Sequence, residues 1–361
     1  MITLRERRGW AVDFANSIAR RRSLTKHCYP NACNIGYIGW TVGENLGDGA
    51  MFEAAQRLCS PTELFQGVRR EAVLAKFGLS GPRVFQHLYL GGGTLINDGH
   101  LGLVEKAIDL GLEISTLGTG VGSSGFATSD ECVNSKWHHL LTQFKKVGVR
   151  GPVSAQKLTN IGVRNVQIIG DLAMALTPDK PLGHLRHERF ILNAAAPTQP
   201  DRHYPNDLVI TALAQATKLL TELGWRPVPI AMCQDDIEPI RQVLRDAQVE
   251  ATIEQPRTSQ AFFNLARGAG IAIGVRLHCA VLSSCAGVVP LTVAYREKGL
   301  DFARSMNICE WTLQPQKMSA TDLAERAEAL ATPAGANIGL NVHQNALQWR
   351  AKLRGYVADA P

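Results

Sequence analysis

The feature that most constrains the fold of this chain is an alternation of short β-rich runs, each bounded by glycine, with longer stretches of helical period. The alternation occurs twice, in two halves of the chain. Parallel strands need a crossover connection, usually a helix, so the pattern is typical of parallel sheets covered by helices on both faces. It predicts an α/β protein with two doubly wound, Rossmann-like domains that face one another across a cleft.

The predicted elements follow one another without a repeat of short period. In the first half we predict strands at residues 34–39, 84–90, 112–117, 144–149 and 166–169, and helices at 50–58, 62–77, 99–110, 130–143 and 153–160. In the second half we predict strands at 189–195, 227–232, 250–254, 270–275 and 289–294, and helices at 206–223, 235–248, 259–267, 278–286 and 337–355.

A stretch rich in proline and charge, LTPDKPLGHLRHER, interrupts this alternation. Clusters of proline and glycine mark connections between elements, so we place a domain boundary there. The chain is thereby divided into a basic extension, 1–33, a first Rossmann-like domain, 34–184, and a second Rossmann-like domain, 185–361. By analogy with two-lobed glycosyltransferase-like proteins, we expect the last helix to pack back onto the first domain.

Composition restricts where the protein works and what it carries. Every apolar run is shorter than the roughly 20 residues that a membrane-spanning helix needs, and the N-terminal sequence lacks the apolar core of a secretory signal. The eight cysteines include no CxxC pair and no zinc-type spacing. We therefore expect a cytoplasmic protein with reduced cysteines, no cofactor and no metal.

Positive charge is concentrated in the extension 1–33, although the net charge of the whole chain is only +6. One interpretation is an amphipathic helix, with Trp10, Phe14 and Ile18 on its apolar face, that contacts a membrane carrying a lipid-linked substrate. The other, which we prefer, is a solvated extension. Basic and aromatic residues are not interleaved in the way that indicates nucleic-acid binding, so we expect no nucleic-acid partner.

Glycine-rich turns follow two strands of the first half. The turn GENLGDGA places Asn45 and Asp48 at the carboxyl end of a parallel strand, where ligands bind in open α/β sheets and helix N-termini attract anions. Asp48 is alternatively the N-cap of the following helix. The turn LGGGTL contains Gly92 and Gly93, which allow a backbone or a substrate to approach closely.

A GxGxxG pattern runs from Gly120 to Gly125 after the third strand. A nicotinamide-binding fingerprint opens a helix at once and is followed by an acidic residue about 20 positions later. Here FATSD intervenes, and the next strand ends in KKVGVR without an acid. We therefore reject a dinucleotide site and keep Gly120 as a point of close substrate approach.

Charged side chains end the last two strands of the first half. Arg150 precedes a Gly-Pro turn and a helix, and Asp171 closes the strand VQIIGD. A guanidinium binds a carboxylate or a phosphate through two hydrogen bonds. Taken alone, Arg150 is more often part of a surface ion pair, and Asp171 is as easily a turn residue. Together with the other strand-end residues, both are candidate substrate ligands.

The motif Arg276–Leu277–His278 follows the apolar strand AGIAIGV and opens a helix. It brings a cation and a titratable imidazole to the free N–H groups of a helix start, where an anion binds well. After the next strand, Lys298 is either a phosphate contact or an ordinary surface lysine. The chain has no P-loop, HExxH or GxSxG motif, which leaves a transferase that handles anions.

Seven motifs in order make the chain resemble the polysaccharide pyruvyl transferase family over roughly residues 34–300: NLGDGA, LGGGTL, GTGVG, VRGPVSAQKL, IGD, GVRLHCA and YREKG. The resemblance implies a glycosyltransferase-B-like architecture and transfer of pyruvate from phosphoenolpyruvate to a hexose or hexosamine as a ketal, with phosphate as the leaving group. It implies in addition that the first domain, 34–184, lies on the acceptor side and the second, 185–361, on the donor side. It also implies that Arg150 and His278 contact the donor. The chain departs from the family at residues 123–125, where proline is common.

The chemistry of such a transfer needs an anion clamp, an acid and a base. We assign Arg150 and Arg276 to the carboxylate and phosphate of the donor, and His278 to donor binding and general acid catalysis. Asp48 is then the base for a sugar hydroxyl or a ligand for it. The expected partners are phosphoenolpyruvate and a sugar or oligosaccharide acceptor, free or lipid-linked.

Two alternative functions remain open from the sequence. In a two-lobed glycosyltransferase that uses a nucleotide sugar, Arg276, His278 and Lys298 would hold the diphosphate. A non-catalytic relative would keep the fold and bind a sugar polymer or an assembly partner.

Overall fold

A computed structural model describes residues 35–39, 45–59, the backbone of 64–66, and residues 87–109, 111–122, 135–183, 189–195 and 205–358. The first half contains the strands β1 (Ile35–Ile38), β2 (Leu64–Gln66), β3 (His87–Leu90), β4 (Gly93–Ile96), β5 (Glu113–Val121), β6 (Lys146–Val149) and β7 (Val166–Ile168). Its helices are α1 (Leu46–Leu58), α2 (Asp98–Asp109), α3 (Ser135–Leu141), α4 (Pro152–Asn160) and a 3-10 helix, Leu172–Leu176.

The second half follows the same scheme. Its strands are β8 (Arg189–Leu192), β9 (Arg226–Pro229), β10 (Ala269–Gly274), β11 (Val289–Val293) and β12 (Thr312–Leu313). Its α-helices are α5 (Asn206–Glu222), α6 (Ile237–Ala247), α7 (Ser259–Ala266), α8 (Leu277–Ala286), α9 (Glu297–Met306), α10 (Asp322–Leu330) and α11 (Pro333–Ala358). Short 3-10 helices lie at Gln234–Asp236, Cys309–Trp311 and Pro315–Lys317.

The strands form two parallel sheets. The order in the first sheet is β2-β1-β3-β5-β6-β7, with β4 paired to β5, and the order in the second is β12-β11-β10-β8-β9. In each sheet the order reverses at one point, between β1 and β3 and between β8 and β10. The carboxyl ends of the strands at such a reversal are where ligands bind in open α/β sheets. The predicted fold class, two doubly wound α/β domains, is confirmed.

An apolar core joins the two halves. Met51 and Leu172 of the first half belong to the same buried cluster as Phe262 and Leu277 of the second. The N–H of Leu46 donates to the carbonyl of Met232 (2.8 Å), and the Ser259 hydroxyl donates to Glu53 (2.6 Å). Burial of apolar surface is the main favourable term in holding elements together. The shared core therefore docks the two halves against each other.

The last helix, α11, touches both halves. The Tyr356 hydroxyl donates to the carbonyl of Thr116 in the first sheet (2.9 Å), and Trp349 Nε1 donates to the carbonyl of Ser305 in the second half (3.2 Å). The helix, Pro333–Ala358, extends beyond the predicted 337–355 at both ends. A 26-residue helix gains most of its stability from such packing.

Two element predictions are wrong. Leu64–Gln66, inside the predicted helix 62–77, forms a strand parallel to β1, and the predicted strand 250–254 is reduced to a single bridge between Ile230 and Glu254. Strands β4 and β12 and helices α9 and α10 were not predicted. Short apolar runs do not distinguish a strand from a buried helix by periodicity alone, and α9 begins among charged residues that resemble a loop.

Several predictions lie outside the described residues: the extension 1–33, most of helix 62–77, and the divergent turn at 123–125. The boundary at residue 184 also falls in an undescribed stretch, so the division into 34–184 and 185–361 stays our proposal. None of the helices in the described ranges is both long and apolar enough to cross a membrane.

Candidate functional site

The start of α1 brings Asn45 and Asp48 towards the second half. The Asn45 side chain accepts the N–H of Gly47 (2.9 Å) and is the N-cap, so the alternative that gave this role to Asp48 is wrong. Asp48 lies in the first turn instead, where a negative charge complements the helix dipole. Gly47 is packed so closely on the imidazole of His278 that a β-carbon there would lie 2.7 Å from the Cβ of His278.

A buried row of charged groups connects the two halves. One oxygen of Asp171, Oδ2, lies 3.8 Å from Nε2 of His278 and 3.9 Å from Nη1 of Arg150. The other oxygen accepts the N–H of Ala173 and caps the 3-10 helix (3.0 Å). The Asp171 side chain is 0% exposed, so its carboxylate holds neighbouring side chains and does not face solvent.

Three atoms in this row are buried without a hydrogen-bond partner in the part of the chain that the structure describes: Arg150 Nε, Asp171 Oδ2 and His278 Nε2. Buried polar groups in native proteins are nearly always paired with protein, water or a ligand. Their convergence therefore marks a place where a polar ligand, or water, is expected.

The ionisation of the site differs from that of free side chains. Burial raises the pKa of Asp48, although His278, Lys298 and Arg276 act in the opposite direction. Burial lowers the pKa of His278, although Asp171 and Asp48 oppose this shift. Near pH 7 the imidazole therefore tends towards its neutral form, and the Asp48 carboxyl retains its proton to a higher pH than usual. Burial is the largest cause of both shifts, because it disfavours the charged form of each group.

Arg276 is held within the second half. Its Nε and Nη2 donate to Oδ1 of the fully buried Asp236 (2.9 and 2.6 Å), and its Nη2 also contacts Cys233 Sγ (3.3 Å). Its backbone N–H donates to the side chain of Asn193 (3.0 Å). Burial disfavours the charge, but Asp236 outweighs burial and raises the pKa of Arg276. Two of its donor groups are thus committed to Asp236 and are not directed to a ligand.

Leu277 and the glycines have packing roles. The Leu277 side chain is buried in the core between the halves, so Leu277 contributes only its backbone to the start of α8. Gly92 donates its N–H to the hydroxyl of Tyr37 (3.1 Å), and a β-carbon there would lie 3.1 Å from Met51 Cγ. Gly93 has a φ of +101°, which requires glycine.

Gly120 lies inside strand β5 and not in a turn after it, because β5 continues to Val121. A β-carbon at Gly120 would lie 3.1 Å from Arg150 Cζ. The glycine therefore makes room for a buried guanidinium, and its close approach is to Arg150 of the same domain.

Lys298 and Tyr295 lie after strand β11. Lys298 Nζ is 5.6 Å from the centre of the Tyr295 ring, and its charge affects the pKa of both Asp48 and His278. Burial by itself would raise the pKa of Tyr295, but the charges of Lys298, Arg276 and other nearby cations outweigh it and lower the pKa. The second half therefore contributes positive potential to the site.

The sequence pattern did not indicate Asn193 and Asp236, which orient Arg276. Asn193 directly follows strand β8, so the rule that strand ends carry site residues was available for it. Asp236 had no such signal, because it lies among other acidic residues before α6. Among the residues described, no cluster of three His, Cys, Asp or Glu side chains is arranged to hold a metal ion.

Comparison with known proteins gives one family and one architecture. The model of the polysaccharide pyruvyl transferase family matches residues 45–297. The fold is similar to S. aureus MnaA in its UDP co-structure (TM-score 0.55, 11% identity, 87% of this chain and 92% of that one). It is also similar to UDP-GlcNAc 2-epimerase from Neisseria meningitidis bound to UDP-GlcNAc (TM-score 0.53, 10% identity, 87% and 96%). These similarities show a glycosyltransferase-B-like fold. No curated protein matches the chain.

Proposed function

Because this chain belongs to the polysaccharide pyruvyl transferase family, we propose that it transfers pyruvate from phosphoenolpyruvate to a sugar of a polysaccharide or its precursor. The product is a cyclic ketal, and phosphate is the leaving group. One observation carries the proposal: the His278 imidazole of one half and the Arg150 guanidinium of the other converge on the same oxygen of the Asp171 carboxylate, at 3.8 and 3.9 Å.

The charge around this point suits a donor with a carboxylate and a phosphate. Arg150 has an unpartnered Nε among the described residues, and the charges of both Arg150 and Lys298 act on His278. The free N–H groups at the start of α8 add positive potential at His278. Asp236 takes up two donor groups of Arg276, so we assign donor binding to Arg150 and Lys298 and a smaller share to Arg276.

The pKa shifts favour an exchange of the two catalytic roles assigned from sequence. Burial favours the protonated form of Asp48, so this carboxyl can donate a proton at a higher pH than a free aspartic acid. Burial favours the neutral form of His278, which is the form that can accept the proton of a sugar hydroxyl. We therefore propose Asp48 as the general acid and His278 as the general base, with Asp171 orienting the imidazole.

The reaction balances with these groups. Asp48 gives its proton to the methylene carbon of the donor, and the neighbouring carbon becomes cationic. A sugar hydroxyl adds to that carbon and loses its proton to His278. The bond from this carbon to the phosphate oxygen then breaks while His278 returns its proton to that oxygen, so phosphate leaves and the carbon becomes cationic again. A second hydroxyl of the same sugar adds to the carbon, and its proton returns to the Asp48 carboxylate, which closes the ketal.

Ligand-induced stabilisation tests the proposal. Thermal unfolding would be followed with phosphoenolpyruvate, inorganic phosphate and UDP-GlcNAc, each over a concentration series. A ligand present at 100 times its Kd stabilises a protein by about 2.7 kcal/mol. We expect stabilisation by phosphoenolpyruvate well beyond that by phosphate, and a loss of this difference in Arg150→Ala. Stabilisation by UDP-GlcNAc alone would instead favour a nucleotide-sugar glycosyltransferase.

Activity separates binding from chemistry. Phosphate release from phosphoenolpyruvate would be measured with a panel of hexose and hexosamine glycosides. His278→Ala is expected to abolish release and leave the unfolding temperature close to that of the wild type. Near-normal phosphate release in this variant would remove His278 from the mechanism.

A further inference from the structure

Asp301 connects the two halves next to the proposed donor site. It lies in α9 of the second half and is 2% exposed. Its Oδ1 accepts the backbone N–H of Val153 (2.8 Å), and its Oδ2 accepts the hydroxyl of Ser154 (2.7 Å). Both partners are in the first turn of α4 in the first half, so Asp301 caps a helix that belongs to the other domain.

The contact is too close for any side chain at residue 151. A β-carbon on Gly151 would lie 2.6 Å from Cγ of Asp301 and 2.9 Å from its carbonyl oxygen. Gly151 has a φ of −157°, which every residue can adopt. The close approach of Asp301 is therefore the reason why residue 151 is a glycine. The start of α4 is consequently filled by a carboxylate of the protein itself, in the position where helices bind anions.

The residues on either side of this contact belong to the proposed donor site. Arg150 directly precedes Gly151, and Lys298 lies three residues before Asp301 on α9. Residues three apart on a helix share a face. The hydroxyl of Ser154 also accepts the N–H of Val121 at the end of β5 (3.3 Å), which ties the contact to the strand beside Arg150.

We propose that Asp301 is a positioning residue: by capping α4 across the domain interface, it sets the separation between Arg150 and Lys298. This proposal rests on the proposed function for its donor, phosphoenolpyruvate. A second pair offers a matched control, because Lys157 of α4 and Glu297 of α9 join the same two helices by an ion pair of 2.5 Å. That pair lies farther from Arg150 along α4 and caps no helix.

The binding test compares Asp301→Ala, Asp301→Asn and Glu297→Gln by calorimetric titration with phosphoenolpyruvate. We expect Asp301→Ala to lower the affinity for phosphoenolpyruvate about 10-fold or more. The reason is that Arg150 and Lys298, once displaced, no longer form their charge-assisted hydrogen bonds to the donor. Asp301→Asn keeps an oxygen for the Val153 N–H and should recover most of the affinity. Glu297→Gln should bind as the wild type does.

A double-mutant cycle shows whether Asp301 acts through Arg150. In an Arg150→Ala background, Asp301→Ala is expected to cause little further loss of affinity. Additive losses, or an equal loss in Glu297→Gln, would show that Asp301 contributes only to docking of the two halves. Gly151→Ala supplies an independent perturbation, since it forces the same carboxylate away, and it should reproduce the binding defect.

A measurement made without phosphoenolpyruvate tests the positioning role of Asp301 separately from the proposed function. Arg150 and Lys298 both lower the pKa of His278, so their displacement in Asp301→Ala should raise it, as measured by NMR titration of the imidazole. An unchanged His278 pKa in folded Asp301→Ala would overturn the positioning role. Failure of the wild type to bind phosphoenolpyruvate, with the His278 pKa still raised in the variant, would contradict only the proposed function.

Discussion

The close packing of Gly47 on His278 allows a single methyl group to be used as a probe of the site. A β-carbon at Gly47 would lie 2.7 Å from Cβ of His278 and nearer still to its ring, whereas ordinary contact begins at 3.4 Å. Gly47→Ala must therefore displace the imidazole by about 1 Å, and a shift of that size in a reacting group can reduce turnover by about 100-fold. We expect that reduction in phosphate release.

The same substitution has two opposed effects on stability. Alanine is favoured over glycine inside a helix by about 0.5–1 kcal/mol, and forcing a methyl group into a packed site costs about 1–3 kcal/mol. The N–H that donates to Asn45 is kept. The free energy of unfolding should therefore fall by no more than about 2.5 kcal/mol, and Gly47→Ala should remain folded.

Gly49 provides the matched control, because it lies in the same helix and a β-carbon there would meet nothing within 4 Å. Gly49→Ala should gain the helix preference without the clash, so it should be slightly more stable than the wild type and equally active. The assays are phosphate release and denaturant unfolding on both variants. Wild-type turnover in Gly47→Ala would refute the packing of His278 on α1 as a requirement for activity, and equal losses in both variants would point to the helix and not to the imidazole.

Three further predictions concern charges at the site. The carboxylate of Asp171 raises the pKa of His278, so Asp171→Asn should lower that pKa further in an NMR titration; an unchanged or raised pKa would contradict the contact between the two groups. Asp236→Ala leaves the Arg276 guanidinium buried without its carboxylate, which should cost about 3–5 kcal/mol in denaturant unfolding; a cost below about 1 kcal/mol would contradict the buried pair. The raised pKa of Asp48 means that its protonated form contributes stability that is complete below the unfolded value of about 4 and is lost as the pH rises through the folded value. Asp48→Asn lacks this loss and should be more stable than the wild type at pH 7 but similar near pH 4; equal pH profiles of stability would refute the shift.

Much of the architecture was predictable because it depends on local periodicity. Strands such as Ile35–Ile38 and Ala269–Gly274 are short apolar runs bounded by glycine, and helices such as Asn206–Glu222 show the period of an amphipathic helix. The missed elements are those whose local signal is weak. Strand β2 has only three residues, and it forms because it pairs with β1, which no local pattern reports.

The candidate site was predictable in outline for a related reason. The carboxyl ends of parallel strands lie along one edge of a sheet, so Asp48, Arg150, Asp171 and His278 were selected without knowledge of how the two sheets meet. Their chemical types also follow from sequence alone, since an imidazole and a guanidinium at strand ends suit an anionic substrate.

Tertiary structure alone decided which partners these side chains have and how their pKa values shift. Arg276 was expected to bind the donor, but Asp236, 40 positions earlier, takes up two of its donor groups. Asp301 caps a helix that begins about 150 positions earlier, in the other half of the chain. The pKa shifts of Asp48 and His278 depend on burial that arises only when the halves dock. Sequence therefore determined which groups are present and at which strand ends, whereas their partners and protonation depend on distances between remote segments, which local periodicity does not encode.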